Sequence, residues 1–406
     1  MSQEKYPRLR PVDSQIVNHN GQPAIMLRDP LQLSDQVVVV PRPLAPLLAL
    51  CDGTRDLSAL RAGLAVRTGI VLSPEDMVHI INQLDQAFLL DNERFAEAKA
   101  GLLHSFRSTP FRPPALAGSS YPADPDHLRR YLQSFVEDLE IDGQVVHDGR
   151  GLVSPHIDYQ RGGPVYAHVW TAGAELARDA DLAIIFGTDH NGSFGTLTLT
   201  RQNYATPFGI LPTATDVVDA VVEAIGEDAA FEEELHHRRE HSVELAAVWL
   251  HHVREGRPIE MVPILCGSFA HFVVGLGSPA EDPTFAAAIE ALQRATAGRQ
   301  VIVIAAGDLA HVGPAFGDPH PLDWADRARI QASDNQLIDT MCRGDAEGFY
   351  ELIRAEGDRR RICGLPPIYL ALRFLNGTQG MRAGYDRCPA DPQNGSLVSV
   401  CGVVWE

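Results

Sequence analysis

Long apolar runs and clusters of basic residues are both missing from this sequence of 406 residues. No stretch approaches the roughly 18 apolar residues of a membrane-spanning helix. The start, MSQEKYPRLR, has no apolar core after its charges, which argues against a secretory signal. With 34 Lys and Arg against 53 Asp and Glu, the formal net charge is -19, which disfavours nucleic acids and anionic membranes as partners. We therefore expect a cytoplasmic protein with neither a nucleic-acid nor a membrane partner.

Paired cysteines are missing as well. The cysteines lie far apart and form no CxxC motif, so neither a structural zinc site nor a disulfide framework is supported. We interpret most of them as reduced residues of the core. The six cysteines are Cys51, Cys266, Cys342, Cys363, Cys388 and Cys401.

Polar residues follow three short apolar runs that are typical of buried strands. The runs lie in GLVSPHIDY, LAIIFGTDHNG and VIVIAAGDLAHVG, and the residues that follow them are His156, Asp158, Asp189, His190, Asp308 and His311. In open α/β sheets the carboxyl ends of the strands converge on one crevice, which is where ligands bind. Imidazoles and carboxylates that meet there indicate a metal site or an acid/base site.

The spacing of Asp308 and His311 leaves their role open. They are three residues apart, so a helical turn after the strand would place both side chains on one face. There they would orient a metal ligand, act as an acid/base pair, or form a hydrogen-bonded couple without a catalytic role.

A histidine-rich segment, HHRREHSVELAAVWLHH, contains a predicted helix over 243–252. His241 lies at the entrance of this helix, with Ser242 as its candidate N-cap. The alternative is an ordinary, solvated and charged helix start. The other histidines of the segment are predicted to be surface residues, and they are His236, His237, His251 and His252.

Cys363 lies directly before a predicted helix that ends at Asn376-Gly377. Backbone N–H groups at a helix start favour the thiolate, and a nearby divalent metal would favour it more strongly. The neighbouring Gly364 would let the backbone come close to a site. The alternative is a buried, inert cysteine at a tight turn.

The first 98 residues are predicted to form a small domain of their own. Extended segments are followed by three short helices, and the last helix has Ser73 as its N-cap and Pro74 at its first position. This pattern favours a winged-helix-like α+β domain. Residues 99–114 are predicted to be a linker because prolines interrupt them, at Pro110, Pro113 and Pro114.

Residues 115–406 alternate between strand and helix signals. Asp124 and Pro125 are a predicted N-cap and first helical residue at the start of this region. A hairpin signal around Pro207-Phe208-Gly209 and a terminal strand favour mixed strand directions. We predict a mixed-sheet α/β sandwich.

Five short motifs occur in the order seen in the Memo family, whose bacterial and archaeal relatives carry the name AmmeMemoRadiSam system protein B. They are Pro155-His156, Gly187-Thr188-Asp189-His190, Glu240-His241-Ser242, Asp308-Leu309-Ala310-His311 and Ile362-Cys363-Gly364. The resemblance covers about residues 115–406. It implies a fold similar to that of the LigB-type class III extradiol dioxygenases.

The resemblance also implies a site. Its metal ligands would be His156, His190 and Cys363, and its candidate catalytic residues would be Asp308, His311 and His241. Two departures concern neighbouring positions, since the family usually has Gly-Pro-Ser-His at 187–190 and Ala-Gly-Tyr at 157–159. Asp158 and Asp189 therefore add two candidate oxygen ligands.

Two imidazoles and one anionic ligand leave positions open on a ferrous ion for oxygen or substrate. A thiolate in place of a carboxylate softens such a site, so Cu and Zn stand beside Fe(II), which is the first choice. The first hypothesis is a redox-linked metal-binding protein. The alternatives are a nonheme Fe(II) dioxygenase that acts on a small aromatic substrate, with His311 or His241 as general acid/base, and a metal-free scaffold that binds a peptide.

The N-terminal domain resembles the PqqD-like family of peptide-recognition modules over about residues 25–95. The matching features are a leucine-rich helix before Asp52-Gly53-Thr54, a helix through Leu57 and Leu60, and a closing helix that ends at 84–90. The resemblance implies a peptide or protein partner. A radical-SAM enzyme is the candidate partner.

Overall fold

Two compact units make up the protein in this computed structural model, Met1–Ser108 and Thr109–Glu406. The structure describes residues 5–139, 146 and 149–406. The first four residues of the predicted N-terminal domain lie outside this range. The first unit has one hydrophobic core, and the second has two, one on each face of its central sheet.

The first unit is a small α+β domain. Its strands β1 (Asp13–His19), β2 (Gln22–Arg28) and β3 (Val38–Pro41) form an antiparallel sheet in that order, and its helices are α1 (Ala45–Leu50), α2 (Leu57–Thr68), α3 (Pro74–Gln86) and α4 (Glu93–Ser108). Asp56 caps α2, and Ser73 forms a capping box with Asp76 at the start of α3. The predicted cap at Ser73 is therefore confirmed.

Helix α4 corrects the predicted linker. Residues 99–108 were predicted to be irregular, but they form the second half of this helix, on which Phe106 is buried. The helix ends just before the prolines. A proline disfavours the helical conformation of the residue that precedes it, and Thr109 precedes Pro110. Arg112 was also placed in the linker, yet it is fully buried in the second unit.

The second unit contains the remaining strands and helices. The strands are β4 (Gly151–Ser154), β5 (Leu182–Thr188), β6 (Leu197–Leu199), β7 (Tyr204–Thr206), β8 (Gly209–Leu211), β9 (Glu260–Cys266), β10 (Val301–Ala306), β11 (His311–Val312), β12 (Gly380–Pro389) and β13 (Leu397–Trp405). The helices are α5 (Pro125–Glu137), α6 (Tyr159–Ala172), α7 (Ala174–Asp179), α8 (Thr215–Ile225), α9 (Glu227–Phe231), α10 (Ser242–Val253), α11 (Ala270–Val273), α12 (Pro283–Ala295), α13 (Trp324–Cys342), α14 (Ala346–Ala355) and α15 (Leu365–Leu375). Asp124 caps α5, as predicted.

The central sheet has the order β11-β13-β4-β10-β5-β9-β6, and β12 pairs with β13. Strands β4, β10, β5 and β9 are parallel, whereas β13 and β6 run antiparallel to their neighbours β4 and β9. The predicted hairpin is formed by β7 and β8. This arrangement confirms the mixed-sheet α/β sandwich.

Helices cover both faces of the sheet because its strands are apolar on both sides. Along β5, Ile184 and Phe186 join the core beneath α12 and α15, while Ala183 and Ile185 join the core beneath α6 and α10. Alternate residues of a strand point to opposite faces, so one buried strand supplies both cores. The sheet is thereby held between two helical layers.

All six cysteines are free thiols, in agreement with the predicted reduced state. Among the described residues, five of them belong to no group of closely spaced side chains that could hold a metal ion: Cys51, Cys266, Cys342, Cys388 and Cys401. Among the residues that the structure describes, no helix is both long enough and apolar enough to cross a membrane.

Candidate metal centre

Three strand ends and two helix starts bring five side chains to one edge of the central sheet. His156, His190 and Asp308 each follow a strand by two residues, after β4, β5 and β10 respectively. Strand β10 lies between β4 and β5 and is parallel to both, so their carboxyl ends are adjacent. His241 precedes α10, and Cys363 precedes α15.

The three imidazole rings lie against one another. The ring centroids of His156 and His190 are 5.0 Å apart, those of His156 and His241 are 5.4 Å apart, and those of His190 and His241 are 4.7 Å apart. One ligand atom from each ring lies within 4.8 Å of the other two. This spacing suits three nitrogen ligands around one ion.

Each ring has its Nδ1 atom in a hydrogen bond. His156 Nδ1 is 3.0 Å from the carbonyl oxygen of Ala306, His190 Nδ1 is 3.0 Å from Glu240 Oε2, and His241 Nδ1 is 3.1 Å from Glu240 Oε1. In a neutral ring that donates from Nδ1, Nε2 is unprotonated, and such bonds typically orient metal-binding histidines. The free nitrogen of each ring is therefore a candidate ligand.

The sulfur of Cys363 completes this set. Its Sγ atom is 3.2 Å from His156 Nε2, and His156, Asp308 and Cys363 form a second group of closely spaced ligand atoms. A sulfur and a nitrogen on one ion, at about 2.3 and 2.0 Å, lie roughly 3.0 to 3.5 Å apart at ligand angles of about 90 to 110°. The observed distance therefore fits two ligands of the same ion.

The pKa of Cys363 is suited to this role. Burial favours the neutral thiol, but the contact with His156 and a hydrogen bond with His190 outweigh it and lower the pKa of Cys363. Burial also lowers the pKa of His156, which favours the neutral ring, whereas the bonds of His190 with Cys363 and Glu240 outweigh burial and raise the pKa of His190 well above its usual value. A thiolate and a neutral imidazole are the protonation states in which these residues bind metals.

A close backbone approach positions Cys363. The N–H group of Gly364 donates to the carbonyl oxygen of Asp308 over 2.9 Å, and a Cβ atom on Gly364 would lie only 2.6 Å from that oxygen. A side chain at this position would therefore push the helix start away from β10. The predicted role of the glycine next to the sulfur is thus confirmed by the contact.

Asp308 is buried and bonded to the first histidine. Its Oδ1 atom accepts from the backbone N–H of His156 over 2.9 Å, and its Oδ2 atom lies 3.8 Å from His156 Nε2. Burial raises the pKa of Asp308. The carboxyl group therefore both fixes the loop after β4 and offers an oxygen to the group of ligand atoms.

Glu240 is a residue whose function we did not predict. Its buried carboxylate accepts from the backbone N–H of His190 over 3.0 Å and contacts the rings of both His190 and His241. Burial favours its neutral form, but the bonds from these two histidines outweigh burial and lower the pKa of Glu240 well below its usual range. The only sequence signal was its position next to His241.

Glu240 also takes the capping role that was predicted for Ser242. Its Oε1 atom accepts from the backbone N–H groups of His241, over 2.7 Å, and of Ser242, over 3.0 Å. The Ser242 hydroxyl instead donates to the carbonyl oxygen of Thr188 over 2.8 Å, which ties α10 to the end of β5. The solvated helix start is also excluded, because Glu240 and Ser242 are buried.

His311 reaches the site although no helical turn follows β10. Residues 307–310 are irregular because their backbone groups bond to other segments. The N–H group of Leu309 donates to the carbonyl oxygen of Ser399 on β13, and the carbonyl oxygen of Asp308 accepts from the N–H group of Gly364. His311 then begins β11, and its Nδ1 atom lies 3.1 Å from the carbonyl oxygen of Leu309. Burial lowers the pKa of His311.

A cavity of about 530 Å³, which we call the histidine cavity, adjoins the site. Its lining includes the four histidines and Asp308, namely His156, His190, His241, His311 and Asp308. Apolar side chains such as Leu245 and Phe316 form other walls. The structure thus gathers all the predicted histidines of the site around one space, with Cys363 beside His156.

The two additional carboxylates are engaged elsewhere. Asp158 caps α6 and pairs with Arg161 over 2.7 Å, and Asp189 Oδ2 is 2.8 Å from His236 Nδ1. Among the described residues, neither belongs to the two groups of ligand atoms around His156. These contacts argue against Asp158 and Asp189 as ligands of the same ion as His156, but Asp189 belongs to a third group of closely spaced ligand atoms, with Glu233 and His236.

The prediction of surface positions is wrong for two of the four neighbouring histidines. His237 is fully buried. Its Nε2 atom lies 3.0 Å from the carbonyl oxygen of Thr198, and its Nδ1 atom contacts the hydroxyl group of Tyr204. His251 is buried and lies 2.8 Å from the hydroxyl of Thr206. Partners that are distant in the sequence satisfy these rings, and this allows their burial.

A buried ion pair is bonded to the backbone of the turn that carries Glu240. Arg112 pairs with Glu244, and it also donates to the carbonyl oxygens of His237, over 2.6 Å, and of Glu240, over 3.0 Å. Glu244 in turn accepts from the N–H group of Leu116 over 2.9 Å. The segment after α4 is therefore fixed against the same turn that carries Glu240.

Comparison with known proteins shows that the chain is similar to members of one family. A family model described as Memo-like protein matches residues 112–388. A MEMO1 family protein of Aquifex aeolicus (strain VF5) is 26% identical over 395 residues, which cover 94% of this chain and 95% of that protein. A MEMO1 family protein of Methanosarcina acetivorans is 29% identical over 273 residues, which cover 67% of this chain and 89% of that protein. The Aquifex match must include most of the first unit, since it leaves only 6% of the chain uncovered.

Proposed function

This chain belongs to the Memo family, and from that premise we propose that it binds a redox-active transition metal, with iron as the first choice. We assign His156, His190 and Cys363 as the ligands. His241 and Asp308 lie within the same groups of ligand atoms and are further candidate donors. The main support for this assignment is the distance of 3.2 Å between the sulfur of Cys363 and His156 Nε2.

The donor types support this choice. Imidazole suits iron, copper and zinc, while a thiolate adds softness, so copper and zinc are the competing metals. The Nδ1 hydrogen bonds hold the rings in fixed orientations before any ion binds. A bound redox metal would supply electron transfer or the activation of dioxygen.

The roles of the neighbouring residues follow from their contacts. Glu240 orients His190 and His241, and Asp308 holds the loop that carries His156. We assign His311 as a general acid/base group, because its ring lines the histidine cavity next to the ligands.

The histidine cavity favours a second candidate function, a nonheme Fe(II) dioxygenase that acts on a small aromatic substrate. Its volume of about 530 Å³ is within the range of small-molecule sites, and Phe316 and Leu245 give it apolar walls. Oxygen uptake by the iron-loaded protein with a panel of catechols tests this function. If none of the catechols causes oxygen uptake, the dioxygenase function is contradicted, whereas the metal-binding proposal still stands.

For the first unit we propose a peptide or protein partner, with a radical-SAM enzyme as the candidate. The support is the sequence resemblance to PqqD-like modules and the Aquifex relative, whose match extends over the first unit. Binding of this candidate enzyme to the full chain and to a chain that lacks residues 1–108 tests the assignment. Equal affinity for the two chains would contradict it.

Metal content after anaerobic purification tests the metal proposal. We expect close to one equivalent of iron in the wild type and a metal affinity at least tenfold lower in Cys363→Ser, with an unchanged melting temperature when both proteins are free of metal. Cys342→Ser is the matched control, because this thiol lies at the end of α13 and outside the cluster. Less than about a tenth of an equivalent of any transition metal in reconstituted wild type would contradict the proposal and favour the metal-free scaffold.

A further inference from the structure

A second cavity, of about 240 Å³, reaches the same cluster from another side, and we call it the sulfur-side cavity. It is lined by Cys363 and His190 and by apolar residues that include Phe269, Ala270 and Leu365. His190 lines both cavities, whereas Cys363 lines only the sulfur-side cavity and His241 lines only the histidine cavity. The proposed ion would therefore lie between two separate spaces.

The two cavities lie over opposite faces of the central sheet. Phe269 and Leu365 of the sulfur-side cavity belong to the core beneath α12 and α15. Ile157 and Leu245 of the histidine cavity belong to the core beneath α6 and α10. A molecule in one cavity is thus separated from the other cavity by the strand ends that carry the ligands.

The polar groups around the sulfur-side cavity are already bonded within the protein. Arg361 pairs with Asp318 over 2.6 Å, and Asp358 accepts from the N–H group of Ile362 over 2.8 Å. The Thr188 hydroxyl donates to the carbonyl oxygen of Cys363 over 2.9 Å. A charged ligand would have to compete with these bonds, whereas a small neutral one would need none of these groups.

We propose that the sulfur-side cavity admits small neutral molecules, dioxygen among them, to Cys363 and the proposed ion, and that a larger organic ligand occupies the histidine cavity. The difference in volume and the engaged polar groups carry this assignment. The ligand assignment rests on the proposed metal function, but the route to Cys363 is a property of the protein without metal.

Two exposed alanines provide a matched pair of variants. Ala270 lines the sulfur-side cavity and Ala315 lines the histidine cavity, and both are exposed, so a tryptophan at either position narrows one cavity with little disturbance of the core. The probe for the metal-free protein is methyl methanethiosulfonate, a small neutral thiol reagent. The rate of Cys363 modification is measured by mass spectrometry of the Cys363 peptide.

We expect Ala270→Trp to slow the modification of Cys363 at least tenfold and Ala315→Trp to change it less than twofold. Ala270→Leu should give an intermediate rate, and it replaces Ala270→Trp if that variant does not fold. In iron-loaded protein, the binding rate of nitric oxide should follow the same order. Slower modification in Ala315→Trp, or an equal rate in both tryptophan variants, would overturn the proposal. A wild type that takes up no iron would refute the metal function without affecting the labelling result.

Discussion

The carboxylate of Glu240 offers the sharpest test of how the centre is organised, because Glu240→Gln changes its charge and hardly its shape. The carboxylate contacts Nδ1 of His190 and Nδ1 of His241 and accepts three backbone N–H groups around them. A glutamine keeps one acceptor oxygen, and its amide group cannot accept from the other donors. The rings should remain near their positions but lose a defined orientation.

The expected loss can be worked out from these contacts. A hydrogen bond to a charged group contributes about 1 kcal/mol more than a neutral one, so the two ring contacts together amount to about 2 kcal/mol. This corresponds to roughly a 30-fold weaker metal affinity. Partners of metal-binding histidines typically contribute about 10- to 100-fold, which agrees with this value.

The assay is a competition titration of Fe(II) against a chromogenic chelator under anaerobic conditions. Glu347→Gln is the control, since this carboxylate accepts bonds from Tyr369 and Arg373 but lies on α14, outside the groups of ligand atoms. Metal affinity of Glu240→Gln within twofold of the wild type would refute the orienting role. An equal loss in Glu347→Gln would also refute it.

Three further predictions concern stability, pH and domain organisation. Arg112→Met leaves the Glu244 carboxylate buried without its cation, so the free energy of unfolding in urea should fall by about 3 to 5 kcal/mol; a fall below about 1 kcal/mol would contradict this. Burial lowers the pKa of His237 from 6.5 to about 3, so the unfolded chain takes up a proton that the folded protein excludes. Stability is thus lost as the pH falls below the unfolded value, by about 2 kcal/mol between pH 7 and 5, and His237→Gln should flatten that slope in denaturant titrations. Deletion of residues 1–108 should leave metal affinity, measured by the same chelator competition, within twofold of the full chain, because the cluster lies entirely in the second unit.

The positions of the strand-end residues could be predicted because they depend on local order. His156, His190 and Asp308 each follow an apolar run, and parallel strands place such residues at one edge whatever the rest of the chain does. Helix caps such as Ser73 and Asp124 were predictable for the same reason, since their partners lie three residues away.

The parts that could not be predicted depend on partners far along the chain. The burial of His237 requires Tyr204, and the burial of Arg112 requires Glu244, which is 132 residues away. The start of the linker was wrong because α4 is helical up to the residue before Thr109, and its buried Phe106 packs in a way that composition alone does not reveal. Glu240 was overlooked because its function arises only when α10 meets the end of β5.

The proposed ligands differ widely in when synthesis delivers them, because 207 residues separate His156 from the cysteine whose sulfur it contacts. A nascent chain that has emerged only as far as β11 already carries the histidines and Asp308, yet it lacks the thiolate. An ion captured at that stage would be held by nitrogen and oxygen alone and would exchange readily. Firm retention would then begin only when α15 docks against the sheet, so a tightly held ion would mark a chain whose second unit has finished folding.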